Sequence, residues 1–135
     1  MTNWIKSICG KKRKSENNIL IPNVSEADII EIRNFALKGW ELGETHGLSH
    51  WQRVERNGII LSTYNGKIRE GINMKIVRFF AYLHDKCRLN DWADLEHGVR
   101  AADMLPIIRD TILKDFTDEE VSLLDRACRY HTTEL

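Results

Sequence analysis

The sequence predicts an all-α protein, folded as a single bundle of five or six helices. Along five segments, apolar residues recur at intervals of three and four, which is the spacing of one helix face. Residues that commonly cap helices stand where these segments begin. No alternating pattern of apolar and polar residues is long enough to predict a useful β-strand. At 135 residues, the chain has the length of one domain with its own core.

Residues 1–22 are predicted to form a flexible basic leader, followed by the helical domain of residues 23–135. The first 15 residues contain five basic side chains and no acidic one, and Pro22 closes the segment. The whole chain is neutral, so the remaining residues hold 15 basic and 20 acidic side chains. An acidic body is poorly suited to DNA, whose binding depends on neutralising phosphates, and no DNA partner is expected.

The first helix is predicted to begin after Ser25, with Asp28 three residues later, and to end at Gly39. Its apolar stripe consists of Ile29, Ile32, Phe35 and Ala36. The second helix is predicted over residues 47–64, although Gly58 costs about 1 kcal/mol relative to alanine inside a helix. Its candidate inner positions are Trp51, Val54, Leu61 and Tyr64.

Three more helices are predicted in the second half of the chain. NMKIVRFFAYLHD, residues 73–85, has Asn73 as its cap. DLEHGVRAADMLPII, residues 94–108, has Asp94 as its N-cap and Pro106 as a break or kink. The last helix opens with a capping box from Thr117 to Glu120 and continues to residue 131.

The cysteines and the hydropathy pattern predict a cytoplasmic protein. Cys9, Cys87 and Cys128 are an odd number with no CxxC spacing, which favours reduced thiols over a disulfide framework. No apolar run approaches the roughly 20 residues that a membrane span requires. At the N-terminus, apolar residues precede basic ones, the reverse of a secretory signal.

Four of the five histidines are predicted to point inward from four different helices. His84 and His131 continue the apolar stripes that precede them, whereas His50 and His97 begin the stripes that follow. A single buried histidine is commonly bonded to a carbonyl, but inward ligands from separate helices are how bundles build metal sites. The pattern therefore favours a metal centre, with imidazole and carboxylate ligands suited to Mn, Fe, Co, Ni or Zn.

Other chemical motifs are weak or missing. His46 and His50 have the i, i+4 spacing of a helical zinc pair, but no glutamate stands in the general-base position between them. Cys87 and Cys128 neighbour histidines in sequence, which does not orient a thiolate–imidazole pair. GxSxG, GxxxxGK[ST] and GxGxxG do not occur, so serine hydrolase, P-loop and Rossmann interpretations have no support.

Four motifs in this order resemble the HD superfamily of metal-dependent phosphohydrolases, named for an adjacent His-Asp pair. They are HWQRV at 50–54, LHDKCR at 83–88, LEHGVRAADML at 95–105 and ACRYH at 127–131. Together they span about 80 residues, most of the predicted domain. The resemblance implies an HD-like helical bundle that hydrolyses a phosphate ester of a small molecule, such as a nucleotide, through a metal-bound hydroxide.

The resemblance also implies roles for individual residues. His50, His84 and Asp85 would hold a first divalent ion, and Asp85 could bridge to a second. His97 and His131 would bind that second ion or the substrate phosphate. Arg88 follows His84 by four and would pair with a phosphate, so Asp85 and Arg88 are the expected catalytic residues. A salt bridge from Arg88 to Asp91 or Asp94 is the alternative, and His46 is expected to support the site.

One family element has no counterpart in this sequence. The family completes its first metal shell with an aspartate after the last histidine, whereas only TTEL follows His131 here. A shortened enzyme, a truncated reading frame and a decayed binding module are the three explanations. The alternative functions are accordingly a non-catalytic metal- or nucleotide-binding module and a di-iron oxygenase. A homo-oligomer in which a neighbouring chain supplies the missing ligand is a further expectation.

Overall fold

The computed structural model describes residues 24–132 as a bundle of α-helices with one small hairpin, which confirms the predicted all-α class. The predicted leader, residues 1–22, lies outside the described residues. In chain order the helices and strands are α1 (Glu26–Leu37), α2 (Leu48–Ser62), β1 (Thr63–Tyr64), β2 (Lys67–Ile68), α3 (Met74–Leu83), α4 (His97–Met104), a 3₁₀ turn (Leu105–Ile108) and α5 (Asp118–Tyr130).

Three of the predicted helix caps are confirmed. The Ser25 side chain accepts a hydrogen bond from the Asp28 backbone N–H at 3.0 Å. The Asn73 side chain accepts from the first backbone N–H groups of α3. At α5, Thr117 and Glu120 each accept a hydrogen bond from the other's backbone, which completes the capping box. These caps satisfy N–H groups that a helix terminus otherwise leaves unpaired.

The fourth predicted cap is wrong. Glu96 rather than Asp94 is the N-cap residue, and α4 begins at His97. The Asp94 carboxylate instead accepts hydrogen bonds from the Leu89 backbone N–H at 2.8 Å and from Arg100 at 2.5 Å. Both donors bond to Oδ2, so the Asp94 carboxylate joins the preceding loop to Arg100 of α4 and does not cap the helix.

The second helix is shorter than predicted. It ends at Ser62, where β1 and β2 form an antiparallel hairpin through Asn65 and Gly66. Both turn residues have positive φ angles, 54° and 76°, as a type I′ turn requires. The predicted inner positions Leu61 and Tyr64 are therefore wrong, since their exposed fractions are 74 % and 65 %.

The central helix of the bundle is α3, which packs against α1, α2 and α5, while α4 packs mainly against α5. Its close approach to α2 depends on Gly58, where a Cβ would lie 2.7 Å from the Val77 side chain. A buried network also joins the two helices, since Glu55 accepts hydrogen bonds from Arg78 at 2.7 Å and from Tyr82 at 2.6 Å. The fully buried side chains of the core include Ile32, Trp51, Leu83, Leu105, Leu113 and Leu124.

Two further observations concern membrane-spanning helices and the cysteine thiols. Among residues 24–132, no helix has both the length and the apolar character needed to cross a bilayer. Cys87 and Cys128 are free thiols, and burial raises the pKa of Cys128 to about 12. Cys9 lies outside the described residues.

Glu120→Gln is expected to lower the melting temperature at pH 7 and to have little effect near pH 2. Burial would raise the pKa of Glu120, but Lys75, Thr117 and Asn73 outweigh it and lower the pKa from 4.5 to about 2. A lowered folded-state pKa stabilises the fold above pH 4.5, and this contribution is lost as the pH falls towards 2. The ion pair with Lys75 is worth about 0.5–1 kcal/mol.

Thermal melts of both proteins between pH 2 and pH 7 measure this difference. Glu119→Gln, at an exposed position in the same helical turn, is the matched control. A Glu120→Gln deficit that stays constant across the whole pH range would contradict the prediction.

Candidate metal centre

One end of the bundle brings together the four inward histidines and Asp85. His50 lies in the first turn of α2 and His97 at the start of α4, whereas His84 and His131 directly follow α3 and α5. Two helices begin and two end at this place, so each side chain reaches the same space from a different element. Asp85, next to His84, is 2 % exposed.

The two oxygens of Asp85 face two different pairs of histidines. Oδ2 lies 3.1 Å from His50 Nε2 and 3.2 Å from His84 Nε2. Oδ1 lies 3.1 Å from His97 Nε2 and 4.0 Å from His131 Nε2. The carboxylate thus belongs to two candidate metal-binding sets, one on each side.

Each set has three ligand atoms within 4.8 Å of one another, and each could hold a metal ion. The first set is His50, His84 and Asp85, and the second is Asp85, His97 and His131. Imidazole nitrogen and carboxylate oxygen are ligands that divalent transition metals accept. The donor atoms therefore fit the ion that the sequence predicts.

Backbone carbonyls orient three of the histidines. Nδ1 of His84 lies 3.0 Å from the Ala81 oxygen, Nδ1 of His97 lies 2.5 Å from the Asp94 oxygen, and Nδ1 of His131 lies 2.7 Å from the Cys128 oxygen. A carbonyl oxygen only accepts, so each Nδ1 carries a proton and donates it. In a neutral imidazole, Nε2 then presents its lone pair to Asp85, as in histidines that bind metals.

The Nε2 lone pairs of His97 and His131 require a cation between them and Asp85. His97 Nε2 and His131 Nε2 are 3.0 Å apart, and both face the Asp85 carboxylate. With both Nδ1 atoms protonated, two lone pairs and a carboxylate oxygen would meet unless a proton or a metal ion lies among them. The alternative interpretation of the sequence is that these are core histidines bonded to carbonyls. It explains the surroundings of the Nδ1 atoms but not those of the Nε2 atoms.

The electrostatics favour ligand forms that are ready to bind. Burial lowers the pKa of His50 and of His131, which keeps both imidazoles neutral at neutral pH. Burial would raise the pKa of Asp85, but a proton shared with His84, followed by the positive charge of His97 and Arg88, holds that pKa well below its usual range, and a metal ion would take the place of such a proton. Asp85 is therefore a carboxylate at neutral pH.

Arg88 lies beside the site and is held in place by three acceptors. Its Nε is 3.3 Å from Asp85 Oδ1, and its Nη1 donates to the carbonyls of Asn90 at 3.0 Å and Trp92 at 3.1 Å. The alternative pairing with Asp91 or Asp94 is wrong, because these carboxylates contact His46 and Arg100 respectively. A phosphate contact by Arg88 stays a prediction.

His46 lies outside both candidate sets. Its Nδ1 is 2.9 Å from Asp91 Oδ1, and its ring centroid is 5.8 Å from that of His50. It therefore joins the loop after α3 to the start of α2, next to one ligand. The HxxxH spacing of His46 and His50 does not form a separate three-ligand group within residues 24–132.

Phe80 and Gly98 are neighbours of the site that the sequence analysis did not single out. The Phe80 ring stacks on His84 with centroids 4.8 Å apart and meets His131 edge-on at 5.6 Å. At Gly98, a Cβ would lie 3.2 Å from the His131 ring. The available signals were the i, i+4 spacing of Phe80 and His84 and the glycine that directly follows His97.

Comparison of the chain with protein-family models, curated proteins and solved structures gave no match. The resemblance to the HD superfamily therefore rests on the four sequence motifs.

Proposed function

We propose that this protein is a cytoplasmic, metal-dependent phosphohydrolase of the HD type that hydrolyses a phosphate ester of a small molecule, such as a nucleotide. The observation that carries the proposal is Asp85, whose two oxygens face separate histidine pairs. This arrangement suits two ions that share one carboxylate, and paired ions are common in enzymes that act on phosphate esters. The four motifs and the free thiols of Cys87 and Cys128 agree with the proposal.

His50, His84 and Asp85 Oδ2 would hold one divalent ion, and His97, His131 and Asp85 Oδ1 would hold the other. Mn, Fe, Co, Ni and Zn are the candidates for this mixture of nitrogen and oxygen ligands. When bound, such ions supply Lewis acidity towards the phosphoryl group and lower the pKa of water.

The residues of the chain have three tasks in this proposal. The carbonyls that receive Nδ1–H of His84, His97 and His131 fix the direction of each Nε2. Burial of Asp85 keeps bulk water away from the shared carboxylate, which strengthens its interactions. Arg88, held beside the site by Asp85 and two carbonyls, would offset the negative charge of a bound phosphate.

The test is metal content together with phosphate release. Elemental analysis of the purified protein is expected to find up to two transition-metal ions per chain, and Mn, Co, Ni or Fe is expected to stimulate phosphate release from a panel of esters. His84→Ala should reduce that release by more than ~100-fold, because it removes a direct ligand and the loss of a mere supporting partner already costs ~10–100-fold.

A second variant and a melting curve separate chemistry from folding. His84→Asn keeps an amide N–H near the position of Nδ1, which can donate to the Ala81 carbonyl, and has no atom near the position of Nε2, so it is expected to fold and still to be inactive. Metal binding without turnover of any ester would refute the phosphohydrolase and favour the non-catalytic module. Oxygen-dependent substrate consumption with bound iron would instead favour the oxygenase.

A further inference from the structure

An apolar groove lies between α2, α3 and α5 and has a volume of about 450 Å³. Pockets of roughly 300–1,000 Å³ are typical of small-molecule sites. We call it the Phe80 groove, and its lining includes Val54, Asn57, Leu61, Val77, Phe80 and Ala127. Within this lining, Asn57 supplies the polar side chain.

The groove begins one helical turn away from the candidate metal centre on all three helices. Side chains four residues apart on a helix are neighbours, with Cβ atoms about 5–6 Å apart. On each helix, one member of such a pair belongs to the centre and the other lines the groove. The pairs are His50 and Val54 on α2, Phe80 and His84 at the end of α3, and Ala127 and His131 at the end of α5.

Phe80 contacts both the groove and the candidate metal centre. The same ring that lines the groove stacks on His84 and meets His131 edge-on. A molecule in the groove would therefore contact the ring that also contacts two candidate ligands. The groove and the centre are therefore adjacent, which favours one molecule that contacts both over two unrelated occupants.

The far end of the groove also favours an apolar occupant. Leu61 stands on its rim with 74 % of the residue exposed, and an occupant would remove this apolar surface from water. From Val54 to Leu61 the groove follows α2 for about 10 Å, at 1.5 Å per residue. The Asn57 amide can both donate and accept, which suits the polar edge of a heterocycle.

We propose that the Phe80 groove binds the ring-bearing alcohol part of a phosphate ester whose phosphate lies at the histidines and Asp85. This inference rests on the proposed function for the position of the phosphate. It narrows the substrate class to esters of alcohols that carry a flat aromatic ring, as nucleosides do. Esters of small hydrophilic alcohols leave the groove unfilled.

The test compares binding of 1-naphthyl phosphate and glycerol phosphate by isothermal titration calorimetry, with the protein both as purified and after metal removal. The naphthyl ester is expected to bind at least about tenfold more tightly. Ala127→Phe, which fills the groove, should weaken naphthyl ester binding about tenfold or more. Ser122→Phe, at an exposed position of the same helix, is the matched control and should retain the native affinity for the naphthyl ester.

A second variant guards against misfolding of Ala127→Phe. Leu61→Asp changes an exposed rim residue and is expected to fold, while its charge should weaken naphthyl ester binding several-fold. Equal affinities for the two esters, or native affinity in both groove variants, would overturn the inference. A native dimer that Ala127→Phe or Leu61→Asp converts to a monomer in size-exclusion chromatography would assign the groove to a second copy and would also overturn it.

Failure of this inference is distinguishable from failure of the proposed function. Hydrolysis of both esters with equal kcat/KM would uphold the phosphohydrolase and overturn the groove assignment. Binding of 1-naphthyl phosphate that depends on Ala127 and Leu61, without turnover of any ester, would uphold the groove assignment and refute the phosphohydrolase.

Discussion

Asp85→Asn is expected to lower metal-stimulated phosphate release by about a thousandfold or more, beyond the ~10–100-fold typical of partners that only support a ligand. The physical reason is that both carboxylate oxygens are engaged, with Oδ2 facing His50 and His84 and Oδ1 facing His97 and His131. Asparagine has nearly the same shape, but it removes the negative charge and replaces one oxygen by an amide nitrogen that does not bind metal. Both candidate sets are damaged by this one substitution.

Metal content distinguishes the shared residue from those that belong to one set. His50→Ala and His131→Ala should each reduce the metal content from two ions to one, whereas Asp85→Asn should weaken both sites. Asp103→Asn is the matched control, since Asp103 is exposed and pairs with Arg129 away from the site. Two tightly bound ions in Asp85→Asn, or unchanged phosphate release, would contradict the assignment of Asp85 as the shared ligand.

The helical fold was predictable because its signals are local. Ser25, Asn73 and the Thr117–Glu120 pair cap the helices that their sequence positions predicted, since a cap needs only a side-chain oxygen and N–H groups two or three residues later. Asp94 has the same kind of oxygen, but partners outside its own turn compete for it. The local sequence does not show which partners bind the Asp94 carboxylate.

The error at the end of α2 has a different origin. Asn65-Gly66 is a strong hairpin signal, yet the flanking strands have only two residues each, too few for an alternating pattern. Leu61 continues the helical periodicity, but the structure leaves it on the rim of a groove. Periodicity identifies an apolar stripe, but it does not show whether a neighbouring element covers the whole stripe.

The sequence predicted which residues form the candidate site, but it did not predict how they are arranged within it. Projection onto helices showed four inward histidines, because each position depends only on its own helix. How the two Asp85 oxygens divide these histidines depends on how the helices approach one another in space. The contact between Arg88 and Asp85 likewise depends on the path of the loop after α3.

The close approach of α4 and α5 depends on a glycine, Gly98. Gly98 is buried at the contact between α4 and α5, and a Cβ there would lie 2.5 Å from the Cys128 carbonyl oxygen and 3.2 Å from His131 Nδ1. The same carbonyl receives the Nδ1–H of His131 at 2.7 Å. Any side chain at position 98 therefore disturbs the group that orients His131.

Gly98→Ala is accordingly expected to destabilise the fold by about 1–2 kcal/mol, since overpacking costs ~1–3 kcal/mol and alanine recovers up to ~1 kcal/mol of helix propensity. It should also displace His131 and reduce the metal content from two ions to one. Chemical denaturation and elemental analysis measure the two effects. Gly58→Ala, which crowds Val77 and no candidate ligand, should destabilise the fold but retain both ions. Loss of metal from both variants would show that the second set responds to general loosening of the bundle, whereas loss from Gly98→Ala alone would show that close packing at Gly98 holds His131 in its binding position.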